Sequence, residues 1–302
     1  MARTNTNPHG IASLIVQINE EYLNKYGTKL IQIDTGEVGG VSKEFRWGGI
    51  QVNTNDLAGA TNPVGIVSDG ETLIFSDDSD DSLFQCSFGE RWNAATLSYD
   101  GIEVDVSPED TGPDSMTTDG ETLILSGTSN NELFQYSFGT EWDLSTLSYG
   151  GARSALSGLS EADGVASNGD KLVASDSSSD IIKEYEMDTW DLSTLSPTGV
   201  EIDSGIGGNN VNSGALVADD NTLVVGDIND GEMIQREWNS WDLSTAYFRG
   251  ALLRDRNVDS NYGLDGIDGL TAGGGTLLAV NDSDDLINQY GYYQPFQIPN
   301  PD

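Results

Sequence analysis

Short apolar runs recur along this chain in a fixed order, separated by glycine-containing turns and acidic loops. The first set is Gly65-Ile-Val-Ser-Asp-Gly-Glu-Thr-Leu-Ile-Phe, an acidic loop, Leu83-Phe-Gln-Cys-Ser-Phe, and Trp92-Asn-Ala-Ala-Thr-Leu-Ser-Tyr. The second carries Asp119-Gly-Glu-Thr-Leu-Ile-Leu, Leu133-Phe-Gln-Tyr and Trp142-Asp-Leu-Ser-Thr-Leu-Ser-Tyr. A third has Asn168-Gly-Asp-Lys-Leu-Val-Ala, Glu184-Tyr and Trp190-Asp-Leu-Ser-Thr. A fourth has Asp219-Asp-Asn-Thr-Leu-Val-Val, Ile234-Gln-Arg and Trp241-Asp-Leu-Ser-Thr. The fifth has Gly273-Gly-Gly-Thr-Leu-Leu-Ala-Val and Ile287-Asn-Gln-Tyr and stops before a tryptophan segment. Each unit reads as strand, Asp-Gly turn, strand, polar loop, strand, turn, strand. The Asp-Gly turn favours a tight hairpin because glycine takes positive φ at little cost. The run from Thr72 to Phe75 is short and continuously apolar, which predicts the innermost, fully buried strand. Four short antiparallel strands repeated radially make a propeller blade.

The strand missing from the fifth unit is found at the other end of the propeller. Phe45-Arg-Trp-Gly-Gly-Ile-Gln-Val resembles Tyr149-Gly-Gly-Ala and Phe248-Arg-Gly-Ala-Leu-Leu, the fourth strands of units two and four. Phe45, Trp47, Ile50 and Val52 are therefore expected to complete the last blade, closing the ring and removing the sheet edge that an open array would leave. The expectation is an all-β chain: a five-bladed propeller of four-stranded antiparallel blades over residues 41–293, closed by an N-terminal strand. A solenoid is the alternative, and the displaced strand disfavours it.

Residues 1–40 do not repeat and read as an arm. Asn7 and Pro8 suit an N-cap and first helical position, and Gly27 a stop, predicting a helix over about 8–26 followed by a strand. Leu14, Ile15, Ile18, Tyr22 and Tyr26 fall on one helical stripe. An apolar stripe seeks cover, on its own propeller or on a partner. Residues 294–302 are proline-rich and are expected to be extended.

Charge changes the picture. The 302 residues carry 50 Asp+Glu against 13 Lys+Arg, a net charge of -37. Residues 1–46 hold five basic and five acidic side chains, so residues 47–302 carry all of the excess. Only five of the basic residues are lysine, at 25, 29, 43, 171 and 183. Self-repulsion of this size is tolerable where salt screens it, which points to a halophilic setting. Acidic disorder is set aside because 36% hydrophobic content in regular runs can bury a core.

The same charge argues against nucleic acid, whose phosphates need a basic face. No apolar stretch approaches the ~18 residues of a membrane span, and the first residues lack the apolar segment of a signal peptide. A soluble protein is expected, leaving the cell only within a larger assembly. Cys86 is the only cysteine and His9 the only histidine. That excludes a disulfide, a cysteine metal cluster and His-dependent triads, unless His9 reaches a site.

The loops Asp77-Asp-Ser-Asp-Asp, Asp176-Ser-Ser-Ser-Asp and Asn281-Asp-Ser-Asp-Asp gather oxygen ligands. Asp77, Asp78, Asp80 and Asp81, with Asp282, Asp284 and Asp285, are candidates for Ca²⁺, Mg²⁺ or Na⁺, although the spacing is not that of an EF-hand and acidic loops are ordinary in such a chain. No cofactor is required by any motif. Carboxylates on inner strands around a propeller axis can act as acid and base. Here they recur at equivalent positions, and none is singled out. Trp92, Trp142, Trp190 and Trp241 recur at one place and are expected to pack blades; Trp47 and Trp238 stand outside that register. Gln85, Gln135, Gln235 and Gln289 recur and are expected to make equivalent structural hydrogen bonds. Cys86 takes the place of a tyrosine and is expected to be buried.

The Asp-Gly-Glu-Thr-Leu and Trp-Asp-Leu-Ser-Thr elements, over about residues 64–293, resemble those of propellers in virion structural proteins of phages and archaeal viruses, and of environmental propeller proteins. They differ from WD repeats in their longer period and lack of a Gly-His element. The resemblance implies a non-enzymatic surface protein on a halophilic archaeal virus particle: a capsid turret, decoration or tail-fibre module. Its arm would hold other copies or other virion proteins, and a host surface glycoprotein or glycan would be the target. The alternative is a carbohydrate-active propeller enzyme or a cytoplasmic scaffold of a haloarchaeon.

Overall fold

A computed structural model describes residues 44–204, 213–227, 233–253 and 266–293. The expected arm helix with Leu14, Ile15, Ile18, Tyr22 and Tyr26, the strand after it and the tail 294–302 lie outside these residues. The chain divides between Gly39 and Gly40 into two units, and all described residues belong to the second.

The described chain begins with strand β1 (Glu44–Asn53) and a five-residue helix (Thr54–Ala58). Blade one is β2 (Pro63–Ser68), β3 (Thr72–Asp77), β4 (Ser82–Phe88) and β5 (Leu97–Asp105). Blade two is β6 (Pro113–Thr118), β7 (Thr122–Gly127), β8 (Glu132–Phe138) and β9 (Leu147–Ala155). Blade three is β10 (Gly164–Ser167), β11 (Lys171–Asp176), β12 (Ile181–Asp188) and β13 (Asp191–Asp203). Blade four is β14 (Ser213–Ala218), β15 (Thr222–Asp227), β16 (Met233–Asn239) and β17 (Asp242–Leu253). Blade five is β18 (Gly269–Gly273), β19 (Thr276–Asn281) and β20 (Leu286–Tyr293), completed by β1 in the order β1-β20-β19-β18. The fold is the expected five-bladed propeller. Its closure has the expected register: Phe45 opposite Tyr292, Trp47 opposite Tyr290, Ile50 opposite Gln289 and Val52 opposite Ile287, with a bulge between Trp47 and Ile50. Ile50 and Val52 pack on the core between blades five and one.

One assignment is corrected. The run from Thr72 to Phe75 is not innermost. The first strands β2, β6, β10, β14 and β18 meet one another around the ring, and β3 lies one place further out. The second strands are continuously apolar because both faces are buried against neighbouring blades. Ile74 joins Leu123, Leu125 and Phe134 between blades one and two, while Leu73 and Phe75 join Leu278 and Val280 between blades five and one. The innermost strands have a different need: adjacent backbones approach closely there. A Cβ on Gly65 would lie 2.1 Å from the carbonyl oxygen of Asp114, and one on Gly269 2.3 Å from that of Val64. Small residues at this position let the ring draw tight.

The tryptophan segment is a two-part fastening. Within a blade, Trp92, Trp142, Trp190 and Trp241 all take positive φ, from 58° to 62°. The backbone N–H of Trp142 donates to Gly120 O at 3.0 Å, and its indole lies where a Cβ on Gly120 would stand, 2.4 Å away. Asp143 accepts from the Ser145 N–H and hydroxyl, and the Thr146 hydroxyl closes the turn onto Asp143 O at 2.7 Å. Between blades, a side-chain oxygen on the third strand takes the next blade's leucine N–H. Gln85 accepts from Leu144 at 2.7 Å, Gln135 from Leu192 at 2.8 Å and Glu184 from Leu243 at 2.8 Å. Gln289 accepts from Ala94 at 2.7 Å, carrying the same clasp across the ring closure. This bears out the structural role expected of Gln85, Gln135 and Gln289 and adds Glu184, which Lys171 pairs at 2.7 Å. Trp238, set apart in the sequence, is equally structural: it is buried, packs at a tilt against Trp241 with ring centroids 4.9 Å apart, and its indole N–H donates to Asp219 O at 2.7 Å. Cys86 is buried as expected, and burial pushes its thiol pKa up to about 12.

The clasp makes a prediction. Gln135→Ala leaves the buried Leu192 N–H without an acceptor, a loss of about 1–3 kcal/mol. Denaturant melts of the variant should show that loss with an unchanged slope; unchanged stability would mean that the bond contributes nothing to blade docking.

Candidate functional site

Because the strands alternate in direction, the starts of the first strands and the hairpins between second and third strands share one face of the ring. The Asp-Gly turns and tryptophan segments occupy the other. On the first face, the residue just before the small innermost position is Val64 in blade one, Asp114 in blade two, Asp163 in blade three and Asp268 in blade five. Three carboxylates thus stand where the first strands enter the axis.

Their environment displaces their protonation. Burial is the main cause at all three. Asp114 is raised well above the ordinary carboxylate value, with the charges of Asp163, Asp268, Asp78 and Glu161 adding to burial. Blades two and five are not neighbours in the ring, so the effect of Asp268 on Asp114 acts across the axis. Asp163 is buried and raised to about 6, against a hydrogen bond from the Ser177 N–H at 2.6 Å that works the other way. Asp268 is raised to about 7, its carboxylate accepting from the Asp282 N–H at 2.9 Å. A carboxyl that stays protonated near neutrality can give a proton, and an ionised one beside it can take one.

The acidic hairpins on the same face are built differently from a cation cage. Asp77 is fully buried; its Oδ1 accepts the N–H groups of Ser79 and Asp80, and its Oδ2 the N–H of Asn62 at 2.8 Å. Asp176 repeats the arrangement in blade three. There burial opposes the hydrogen bonds from Ser178, Ser160 and Ser179, which nonetheless hold its pKa below the ordinary value. In blade two the second strand ends in Gly127, and Asp110 from the preceding linker fills the vacated space. Asp81 and Asp285, with Asn131 and Asp180, close their hairpins at φ 52° to 55°, a conformation that Asp and Asn tolerate. Asp78 accepts from the Asn62 amide at 3.1 Å, and Asp80 is exposed. The Asp282 and Asp284 N–H groups donate to Asp268 and Asn281. Among the described residues no three His, Cys, Asp or Glu side chains form a group able to hold a metal ion. The hairpin acids are thus divided between turn-building and the exposed face, and across blades five and one they lie near enough to repel, Asp282 acting on Asp78 and Asp77 on Asp285.

Sequence reasoning passed over the axial acids. The signal was present: Pro113-Asp-Ser-Met, Ala162-Asp-Gly-Val and Ile267-Asp-Gly-Leu each set a carboxylate inside an otherwise small or apolar strand entry.

A pH prediction follows with a definite sign. A carboxyl whose folded-state pKa is raised contributes stability that is whole below about pH 4 and is lost as pH rises through the raised value. For Asp163 that value is about 6 and for Asp268 about 7. Asp268→Asn should therefore stabilise the propeller at pH 8, by on the order of 2 kcal/mol, and the gain should shrink by pH 5. Melts at both pH values in constant molar salt check this; an equal difference at both would refute it.

No protein-family model matches the chain, and no curated protein matches it. Solved structures do. The glutaminyl cyclase of Myxococcus xanthus is 14% identical with a TM-score of 0.51, the match covering 78% of this chain and 94% of that one. A putative 6-phosphogluconolactonase from Bacteroides fragilis is 14% identical with a TM-score of 0.47, covering 78% and 72%. The PQQ-bound aldose sugar dehydrogenase of Streptomyces coelicolor is 9% identical with a TM-score of 0.47, covering 85% and 100%. Likeness at this identity is a likeness of fold. It nevertheless corrects the expectation of a non-enzymatic protein: the architecture matched at TM-score 0.51 belongs to an enzyme, so the fold gives no ground for setting catalysis aside.

Proposed function

We propose that the protein works through the acidic end of its axis, performing acid–base chemistry on an uncharged, hydroxyl-bearing ligand of the sugar class. The observation that carries this reading is the trio Asp114, Asp163 and Asp268, on the entries of three first strands, with protonation displaced upward by burial and, at Asp114, also by the charges of Asp163 and Asp268. Asp114 is the proton donor, since burial and the charges of Asp163 and Asp268 favour its protonated form. Asp163 is the base, since its raised value of about 6 leaves it ionised at neutral pH. The charges named as acting on these groups are all carboxylates, which disfavours an anionic substrate. A panel of neutral glycosides assayed in molar salt tests the proposal. Turnover should fall with a limb near pH 6 and drop by a factor of roughly 100 or more in Asp114→Asn and Asp163→Asn, each of which remains folded. Turnover unchanged in both variants would overturn it.

We further propose that the propeller is carried on the surface of a halophilic archaeal virus particle, where a host glycan would be its ligand. The support is the distribution of charge, with the net -37 confined to residues beyond 46 and a neutral segment before them. Mass spectrometry of purified particles is the test, and absence of the chain from them would end this part of the proposal.

A further inference from the structure

The outer strand of blade four differs from the other outer strands. Among the described residues, Tyr247 (52% exposed) and Phe248 (42% exposed) are the exposed large hydrophobics, and they are adjacent on β17. Register places Tyr247 where blades one, two and three have Ser98, Ser148 and Ser196. It places Phe248 where they have Tyr99, Tyr149 and Pro197, of which the two tyrosines pack against the core. Outer strands are open sheet edges, and natural proteins guard such edges with charge, proline or bulges. Blade one places Asp100, Glu103 and Asp105 on its outer strand, and blade three Pro197, Glu201 and Asp203. From Leu243 to Leu253 the outer strand of blade four has no acid, and its only charge is Arg249. Arg249 pairs with Glu237 on β16, which also accepts from the Tyr247 hydroxyl, and its guanidinium lies 5.9 Å from the Tyr247 ring centroid.

We propose that this edge is an interface between two copies of the chain, joined two-fold with their β17 strands antiparallel. Self-complementarity identifies the occupant. An antiparallel pairing centred on Phe248 sets each copy's Arg249 opposite the other's Tyr247, which stands in strand register with Glu237. Each copy then offers one cation to the other's carboxylate and one ring to the other's cation, while the two Phe248 side chains meet at the dyad. A two-fold interface requires such a reciprocal pattern. On a chain of charge -37, an edge with its charges balanced is also where a second copy approaches with least repulsion.

Sedimentation of the full chain in molar salt tests this. The wild type should be a dimer, and Phe248→Asp should weaken association by roughly tenfold or more without loss of sheet signal. Tyr247→Lys, on the opposite side of the same edge, should act likewise and stands in if Phe248→Asp does not fold. Phe248→Cys should form a covalent dimer on mild oxidation, Cys86 being buried. A monomeric wild type, or a dimer indifferent to both charge-introducing substitutions and not cross-linked through residue 248, would overturn the proposal.

Discussion

Dialysed from about 3 M to about 0.1 M salt, the protein is expected to lose its cooperative fold. The net charge of -37 resides in residues 47–302, nearly all of it in the propeller, and the Debye length grows from under 3 Å to about 10 Å over that change. Exposed acids on neighbouring turns then repel one another unscreened. Glu71, Glu121, Asp170 and Asp220 stand exposed at equivalent turns of four successive blades. A domain's margin is only about 5–15 kcal/mol, and distributed repulsion of this kind is expected to exceed it. Thermal melts across a salt series measure the effect, and replacing those four acids by Gln and Asn should shift the midpoint to lower salt. A melting temperature unchanged between molar and ~0.1 M salt would show that the charge plays no such part, and with it the halophilic proposal would fall.

Gly65→Ala should be the most damaging single small substitution. The added Cβ would stand 2.1 Å from the Asp114 carbonyl oxygen and 2.8 Å from the Ser76 hydroxyl. Ser76 accepts the Gly65 N–H at 2.8 Å and donates to Asp114 O at 2.8 Å, so the methyl group would intrude on a buried bridge between blades one and two. Relief requires moving backbone, and a cost of about 3 kcal/mol or more is expected. Gly150→Ala is the control: nothing lies within 4 Å of its Cβ, and its stability should stay within about 0.5 kcal/mol of the wild type. Equal melts for the two variants would mean that the first strands are not packed backbone to backbone.

The fold was legible because a repeat states the same physical demand several times. Gly after Asp at residues 70 and 120 meets the indole of Trp92 or Trp142, so the motif reports one geometry twice over. Ring closure was legible for the same reason: the segment from Phe45 to Val52 completes a pattern that Ile287 and Gln289 leave open. The innermost strand was misjudged because continuous apolar sequence marks burial on both faces, which a second strand between blades also has. Trp238 looked exceptional only because its blade carries a second indole where the others carry Phe88, Phe138 and Met187, whose N–H groups make the same turn bond. The axial acids were hidden by composition. In a chain with 50 acidic residues one more aspartate carries little information, and what sets Asp114, Asp163 and Asp268 apart is their shared place at the starts of first strands that meet around one axis, which only the closed ring creates. The same composition made the hairpin acids conspicuous, although Asp77 and Asp176 spend their oxygens on their own turns.

The most direct test of the axial site compares the wild type with the triple variant Asp114→Asn, Asp163→Asn, Asp268→Asn on an array of neutral glycans in molar salt at pH 6. The triple variant should fold and, at pH 8, melt higher than the wild type, because three enclosed charges are gone. The wild type should bind or cleave at least one member of the array, and the triple variant should leave that glycan untouched. Identical glycan profiles for the two proteins, with the variant fully folded, would show that the axial carboxylates are not the working site.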